Sequence, residues 1–144
     1  MGDPTGAVTA FEQVLTDRLR VLGPDHPDTL STRGNLARWR GEAGDSTGAV
    51  TAYAQLLTDQ LRVLGPGHPS TLTNRHDLAY GRGKMGDPTG AVTAYEQLLT
   101  GRLRVLGPDH PDTLSTRHNL ASWRSKTNDQ MGSLFCGGAG TPTT

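Results

Sequence analysis

A near-identical segment occurs three times along the chain, and this repeat limits the possible folds more than any other feature. The segment GDPTGAVTAFEQVLTDRLRVLGPDHPDTL begins at Gly2 and recurs with few changes from Gly44 and from Gly86, a period of 42 residues. Copies one and three (residues 2–43 and 86–127) agree at 34 of 42 positions, and copies one and two agree at 27. A period of this length indicates a stack of supersecondary units, each of which contacts mainly its neighbours.

Each copy carries the signals of two helices. The first helix opens at an Asp, as at Asp45-Ser46, because Asp is a favoured N-cap, and it ends at a Gly followed by Pro. The second opens at a linker Pro and ends at the Gly that precedes the next Asp. Apolar residues follow helical spacing, and no segment alternates with period two. We therefore predict an all-α solenoid of antiparallel helix pairs with about six helices and no sheet. The predicted helices span about 4–22, 27–43, 46–64, 69–85, 88–106 and 111–126.

The predicted domain organisation is one helical repeat array over residues 1–127, followed by a degenerate tail over 128–144. The tail ends in CGGAGTPTT, a composition without apolar spacing. Such a composition is typical of disorder, so we expect a disordered tail in which only Leu134 and Phe135 could fold back over the array.

Several positions within the repeat carry a family resemblance. Asn35-Leu36-Ala37, Gly44, Ala49 and Tyr53 recur as Asp77-Leu78-Ala79, Gly86, Ala91 and Tyr95, and the linker LGPDHPDTL is the most specific element. From residue 2 to about 127 the chain resembles the tetratricopeptide repeats, in the longer 42-residue form of kinesin light chains and bacterial regulatory proteins. It departs from the family pattern where Arg40, Arg82 and Arg124 replace an aromatic residue, with Trp39 and Trp123 one place earlier.

Comparison of the three copies separates two faces of the second helix. Six positions identical in all copies fall within an arc of roughly 120° and are predicted to pack against neighbouring helices: Thr29, Leu30, Arg33, Leu36, Ala37 and Arg40. The varying positions fall on the other face. The resemblance implies that this face lines an inner groove, where partner peptides bind to tetratricopeptide folds. Neutral drift of exposed positions would give the same pattern.

Stacking of the copies places the varying residues in three rows. The rows are Asn35, Asp77 and Asn119; Gly34, His76 and His118; and Arg38, Tyr80 and Ser122. Amide and imidazole groups can hold the backbone of an extended peptide, and Tyr80 offers a flat contact area. We predict partner binding by Asn35, Arg38, His76, Asp77, Tyr80, His118, Asn119 and Ser122, although Asn rows also serve as spacers between packed helices.

Three features could suggest chemistry, and each has a simpler interpretation. Each repeated linker contains one His, but copy two reads Gly67-His68-Pro69-Ser70 and lacks both neighbouring carboxylates. A zinc site needs three or four converging ligands, so the linker is predicted to be a helix start. Cys136 has no adjacent base, and residues 137–141 lack the lysine of a phosphate loop. We expect no catalytic residue, no cofactor and no metal.

Charge and apolar content narrow the function classes. Fourteen basic residues balance fourteen acidic ones, which argues against nucleic acid or an anionic membrane as a partner. The chain lacks a long apolar run and a signal-peptide pattern at its polar N-terminus, and it has one cysteine. We therefore expect a cytoplasmic protein. The arginine rows 33/75/117 and 40/82/124 lie in the packing arc and are predicted to pair with carboxylates.

The leading hypothesis for function is a non-catalytic protein-protein interaction module that binds a peptide or protein partner in its concave groove. The alternatives are a sensor or regulatory fragment of a larger NTPase-type signalling protein, and a degenerate fragment without activity. Apolar residues at both ends of the array, such as Phe11, Val14 and Leu114, also predict head-to-tail self-association.

Overall fold

Six consecutive helices make up the part of the chain that the structure describes. The computed structural model describes the backbone of residues 3–138 and the side chains of residues 3–129. The helices are α1 (Pro4–Leu22), α2 (Pro27–Glu42), α3 (Ser46–Val63), α4 (Pro69–Lys84), α5 (Pro88–Leu106) and α6 (Pro111–Gly138). The described residues contain no strand, so the predicted all-α solenoid is confirmed. None of the helices within this described part is long and apolar enough to cross a membrane.

The helix starts explain the repeated linker. His26, His68 and His110 precede the first proline of α2, α4 and α6, and each Nδ1 accepts a hydrogen bond of 3.0–3.1 Å from the backbone N–H two residues later. The linker histidines are therefore N-caps. Asp45 and Asp87 cap α3 and α5 through bonds of 2.9 Å from Gly48 and Gly90 N–H, whereas Asp3 makes no such bond to α1.

Each helix packs against the next along the chain, and α2 also contacts α4. We call α2, α4 and α6 the inner helices and α1, α3 and α5 the outer helices. Thr29, Leu30, Leu36 and Ala37 are buried in α2, so four of the six positions of the predicted packing arc are confirmed as buried. The two core clusters centre on Tyr53 and on the equivalent Tyr95 and Leu98. In contrast, α1 has no buried residue.

The sixth helix continues beyond its predicted end at residue 126. It runs to Gly138, so the prediction of a disordered tail from residue 128 is wrong for 128–138. At the equivalent turns, Gly44 and Gly86 adopt φ of +97° and +89°, which lets the chain leave the helix. Asn128 replaces this glycine and remains helical. Residues 139–144, and the side chains of Leu134, Phe135 and Cys136, lie outside the described part.

Candidate functional site

Three neighbouring depressions lie along the inner helices. The first two both lie between α2, α3 and α4, with volumes of about 320 Å³ for the first and about 530 Å³ for the second. The third lies between α4, α5 and α6 and has about 650 Å³. Arg38 and Asp77 line both the first and the second, and His76 lines both the second and the third. These shared side chains make one continuous surface, which we call the inner groove.

The structure brings seven of the eight predicted binding residues to the inner groove. These are Asn35, Arg38, His76, Asp77, Tyr80, His118 and Asn119. Ser122 is exposed on α6 and lines none of the three depressions. The row pattern therefore locates a common surface, while its role in binding stays a prediction.

The middle of the groove places a carboxylate beside an aromatic ring. Asp77 is half-buried, and burial raises the pKa of its carboxyl, while the cationic form of His76 and the guanidinium groups of Arg38 and Arg102 oppose that rise. Tyr80 is 52% exposed, and the Lys84 ammonium lies 5.7 Å from its ring centroid. This region offers an acceptor and a flat ring to a ligand.

His76 connects this region to the third depression. Its ring meets Tyr95 edge-on, with 6.0 Å between the ring centroids. Burial lowers the pKa of His76, with Asp77 and Asp112 acting against burial and Arg102 acting with it. The buried Nδ1 atom has no hydrogen-bond partner among the described residues. The lowered pKa favours the neutral imidazole of His76, and the buried position of Nδ1 keeps this atom away from the groove surface.

Arg102 is a groove residue that the sequence analysis did not identify. From α5 its Nη1 donates to the Thr116 hydroxyl at 2.7 Å and to the Asp112 carbonyl at 3.3 Å. Its Nε is buried without a partner among the described residues. The sequence contains a signal that could have revealed Arg102, because copy one has the same pair of residue types at Arg18 and Thr32. In the structure Arg18 Nη1 donates to the Thr32 hydroxyl at 2.6 Å.

Copy two changes both members of this pair together, to Gln60 and Asn74. Gln60 donates to the Ser70 carbonyl at 3.4 Å, and Asn74 donates to the Tyr53 carbonyl at 3.0 Å. Both side chains are 4% exposed, and each has an amide oxygen without a partner among the described residues. Both residues border the first depression, but their unpartnered amide oxygens are buried beneath its surface.

The arrangement suits recognition by hydrogen bonds. Within the part of the chain that the structure describes, no three His, Cys, Asp or Glu side chains converge as metal ligands would. The groove lining instead contains both donors, such as Arg38, and acceptors, such as Asp77 and Asn35. An extended peptide backbone presents both N–H and C=O groups, which such side chains can bond.

Comparisons with known proteins agree with this architecture. Two family models described as tetratricopeptide repeat match residues 1–60 and 71–112. A kinesin light chain-type protein of Podosopora anserina with nearly identical TPR-like repeats superposes with a TM-score of 0.76 at 31% identity. That match covers 83% of this chain and 57% of the other chain. This chain therefore spans a little over half of the length of that relative.

A second solved structure, BtubC (BKLC) of P. vanneervenii, shares the fold at lower identity. The TM-score is 0.78 at 16% identity, over 98% of this chain and 60% of the other. A search of the curated proteins finds no match.

Proposed function

Because this chain belongs to the tetratricopeptide repeat family, in its kinesin light chain-like form, we propose that its inner groove binds a protein or peptide partner in an extended conformation. Tetratricopeptide repeats are protein-interaction modules built on a non-catalytic scaffold fold. The observation that carries the proposal is the continuity of the three depressions through Arg38, Asp77 and His76. A continuous surface suits a linear ligand better than it suits a compact one.

The polar groups of the groove define how such a partner is held. Asn35 and Asn119 each offer both a donor and an acceptor, as an amide needs to bond a peptide unit on both sides. Arg38 and Asp77 add opposite charges at the centre, and Tyr80 supplies apolar contact at low entropic cost. The matching partner is a peptide of mixed polarity rather than one of a single charge.

We also propose that the chain acts without turnover, cofactor or nucleic acid, and in the cytoplasm. The net charge of zero supports a protein partner over a polyanion.

The test compares two matched triple variants. The groove variant is Asn35→Ala/Asp77→Ala/Asn119→Ala, with one change in each inner helix. The control is Thr9→Ala/Thr51→Ala/Thr93→Ala, with one change in each outer helix at exposed residues that bond only their own helix backbone. Peptides are selected from a random display library on the wild-type chain. Their affinities for all three proteins are then measured by calorimetry, after circular dichroism confirms equal helix content.

We expect the control to bind as the wild type does and the groove variant to bind at least about tenfold more weakly, a loss of about 1.4 kcal/mol. Equal affinity for the wild type and the groove variant would refute the proposal. Failure of the wild type to select any peptide would refute it as well.

A further inference from the structure

The contact between α2 and α3 shows what buries the ends of neighbouring repeats. Leu30 and Ala37 of α2 are 2% and 0% exposed, and Ala49, Tyr53 and Leu56 of α3 are 3%, 6% and 1% exposed. The α4–α5 contact repeats this burial with the equivalent residues one period later, at 0–4% exposure: Leu72, Ala79, Ala91, Tyr95 and Leu98. The same junction therefore occurs twice within the array.

Among the described residues, the equivalent residues at the two ends of the array are more exposed than those inside it. On α6, Leu114 is 49% exposed and Ala121 is exposed. On α1, Val14 is 38% exposed, and Ala7 and Phe11 are only partly buried. The α6 end therefore has the surface that α2 and α4 present to the next helix. The α1 end has the surface that α3 and α5 present to the preceding one.

Two ion pairs distinguish the α2–α3 junction from the α4–α5 junction. Arg33 Nη1 lies 2.6 Å from Asp59 Oδ2, and Arg62 Nη2 lies 2.8 Å from Asp25 Oδ1. At the α4–α5 junction glycines replace both acidic residues, Gly101 for Asp59 and Gly67 for Asp25. Ion pairing at this position is thus a property of particular copies.

The ends of the array carry all four charged residues of these pairs. Arg117 and Asp109 at the α6 end are the equivalents of Arg33 and Asp25, and Asp17 and Arg20 on α1 are the equivalents of Asp59 and Arg62. Arg20 and Asp17 already lie 3.6 Å apart along α1, much as Arg62 and Asp59 lie 3.4 Å apart along α3. The two ends therefore match each other in shape-determining apolar residues and in charge.

We propose that the α6 end of one copy of this chain binds the α1 end of a second copy, repeating the α2–α3 junction between molecules. Arg117 of the first copy pairs with Asp17 of the second, and Asp109 of the first pairs with Arg20 of the second. The contact joins two different surfaces, so it does not close on itself, and further copies extend the stack. This inference is independent of what occupies the inner groove.

The test uses two variants, each blocked at one end. Val14→Lys places a charge in the centre of the α1 end, and Leu114→Lys does the same at the α6 end. Both positions are exposed in the single chain, so each variant can fold, and circular dichroism checks this. Analytical ultracentrifugation follows each protein from about 10 µM to about 1 mM, a range suited to weak contacts.

We expect the wild type to grow in mass with concentration, each variant alone to remain a monomer of 15.3 kDa, and the equimolar mixture to form a heterodimer. The heterodimer joins the intact α6 end of the Val14→Lys chain to the intact α1 end of the Leu114→Lys chain. A monomeric wild type, a mixture that stays monomeric, or a variant that dimerises alone would overturn the proposal.

The ion pair is tested within this heterodimer. Arg117→Glu in the Val14→Lys chain should weaken association about tenfold, because it places two carboxylates together. Asp17→Lys in the other chain should then restore most of that loss. If Arg117→Glu has no effect, or if Asp17→Lys does not restore binding, the proposed register is wrong.

Discussion

Gly41 and Gly83 occupy equivalent positions in α2 and α4, and their surroundings differ in a way that predicts opposite effects of one substitution. A Cβ at Gly41 would lie 3.5 Å from the Ala49 Cβ, an ordinary contact. A Cβ at Gly83 would overlap the ring of Trp123, which packs against a core cluster from α6. The position equivalent to Trp123 one repeat earlier is Gly81, so Gly41 faces no such ring.

Two opposing contributions set the expected change in the free energy of unfolding. Replacing a glycine within a helix by alanine stabilises it by about 0.5–1 kcal/mol, and this gain applies to both sites. Overpacking typically costs about 1–3 kcal/mol, and this cost applies only where Trp123 must move. Gly41→Ala should therefore raise the free energy of unfolding by about 0.5–1 kcal/mol. The free energy of unfolding of the Gly83→Ala variant should be about 1–3 kcal/mol lower than that of the Gly41→Ala variant.

Urea unfolding followed by circular dichroism measures both free energies. In a Trp39→Phe background the remaining tryptophan fluorescence reports on Trp123 alone, and we expect it to shift in Gly83→Ala but not in Gly41→Ala. In a Trp123→Leu background, where the ring is removed, Gly83→Ala should again stabilise the chain by about 0.5–1 kcal/mol. Equal stabilisation by both alanines, with unchanged fluorescence, would refute the assignment of this contact.

Three further outcomes are expected from the contacts above. Asp45→Ala should cost about 0.5–2 kcal/mol through the lost N-cap, and Asp3→Ala should cost less because Asp3 makes no cap bond; thermal unfolding of both variants decides. The lowered pKa of His76 means that the unfolded chain binds more protons, so stability should fall as the pH drops from about 7 to about 5. His76→Gln should flatten that decline in urea titrations at each pH, and an identical slope would contradict it. The Arg33 guanidinium hydrogen-bonds to Asp59 and lowers the pKa of this carboxyl, so the pair stabilises the fold above about pH 4 and less below it. A double-mutant cycle with Arg33→Ala and Asp59→Ala should give a coupling of about 0.5–1 kcal/mol at pH 7 that declines at pH 3, and a pH-independent coupling would exclude the ion pair.

The repeat period and the copy comparison were enough to predict the helix order and the buried arc. Leu30 and Ala37 recur unchanged because the same neighbour covers them in each internal repeat. The row that contains Asn35 and Asp77 could also be predicted, since stacked copies put equivalent residues on one surface. The repeat period can be measured from the sequence without knowledge of any contact.

Other features depend on contacts between residues that differ among the copies. The depression beside Arg102 forms where α4, α5 and α6 meet, and no single copy contains it. The contact of Trp123 with Gly83 joins two repeats, and the sequence shows only that an aromatic residue is displaced by one place. The continuation of α6 required knowing that Asn128 would not leave the helix. Asn can adopt either the helical or the left-handed conformation, so the residue type alone does not determine whether the helix ends there.

The exchange of Arg18 and Thr32 for Gln60 and Asn74 in the middle copy has a consequence for how the chain finds its register during folding. Copies this similar could pair helices from the wrong repeats, and pairing with the adjacent repeat closes the shorter loop and costs the least entropy. A shift by one copy would set Gln60 against Thr32 or Thr116, and its terminal nitrogen is two bonds too short to replace that of arginine. The buried hydroxyl would then lose the 2.6–2.7 Å bond it accepts in the native pairing. The wrong pairing that is easiest to form, a shift by one repeat, therefore loses this hydrogen bond. Only a shift by two repeats brings an arginine and a threonine together again, and it must close a longer loop.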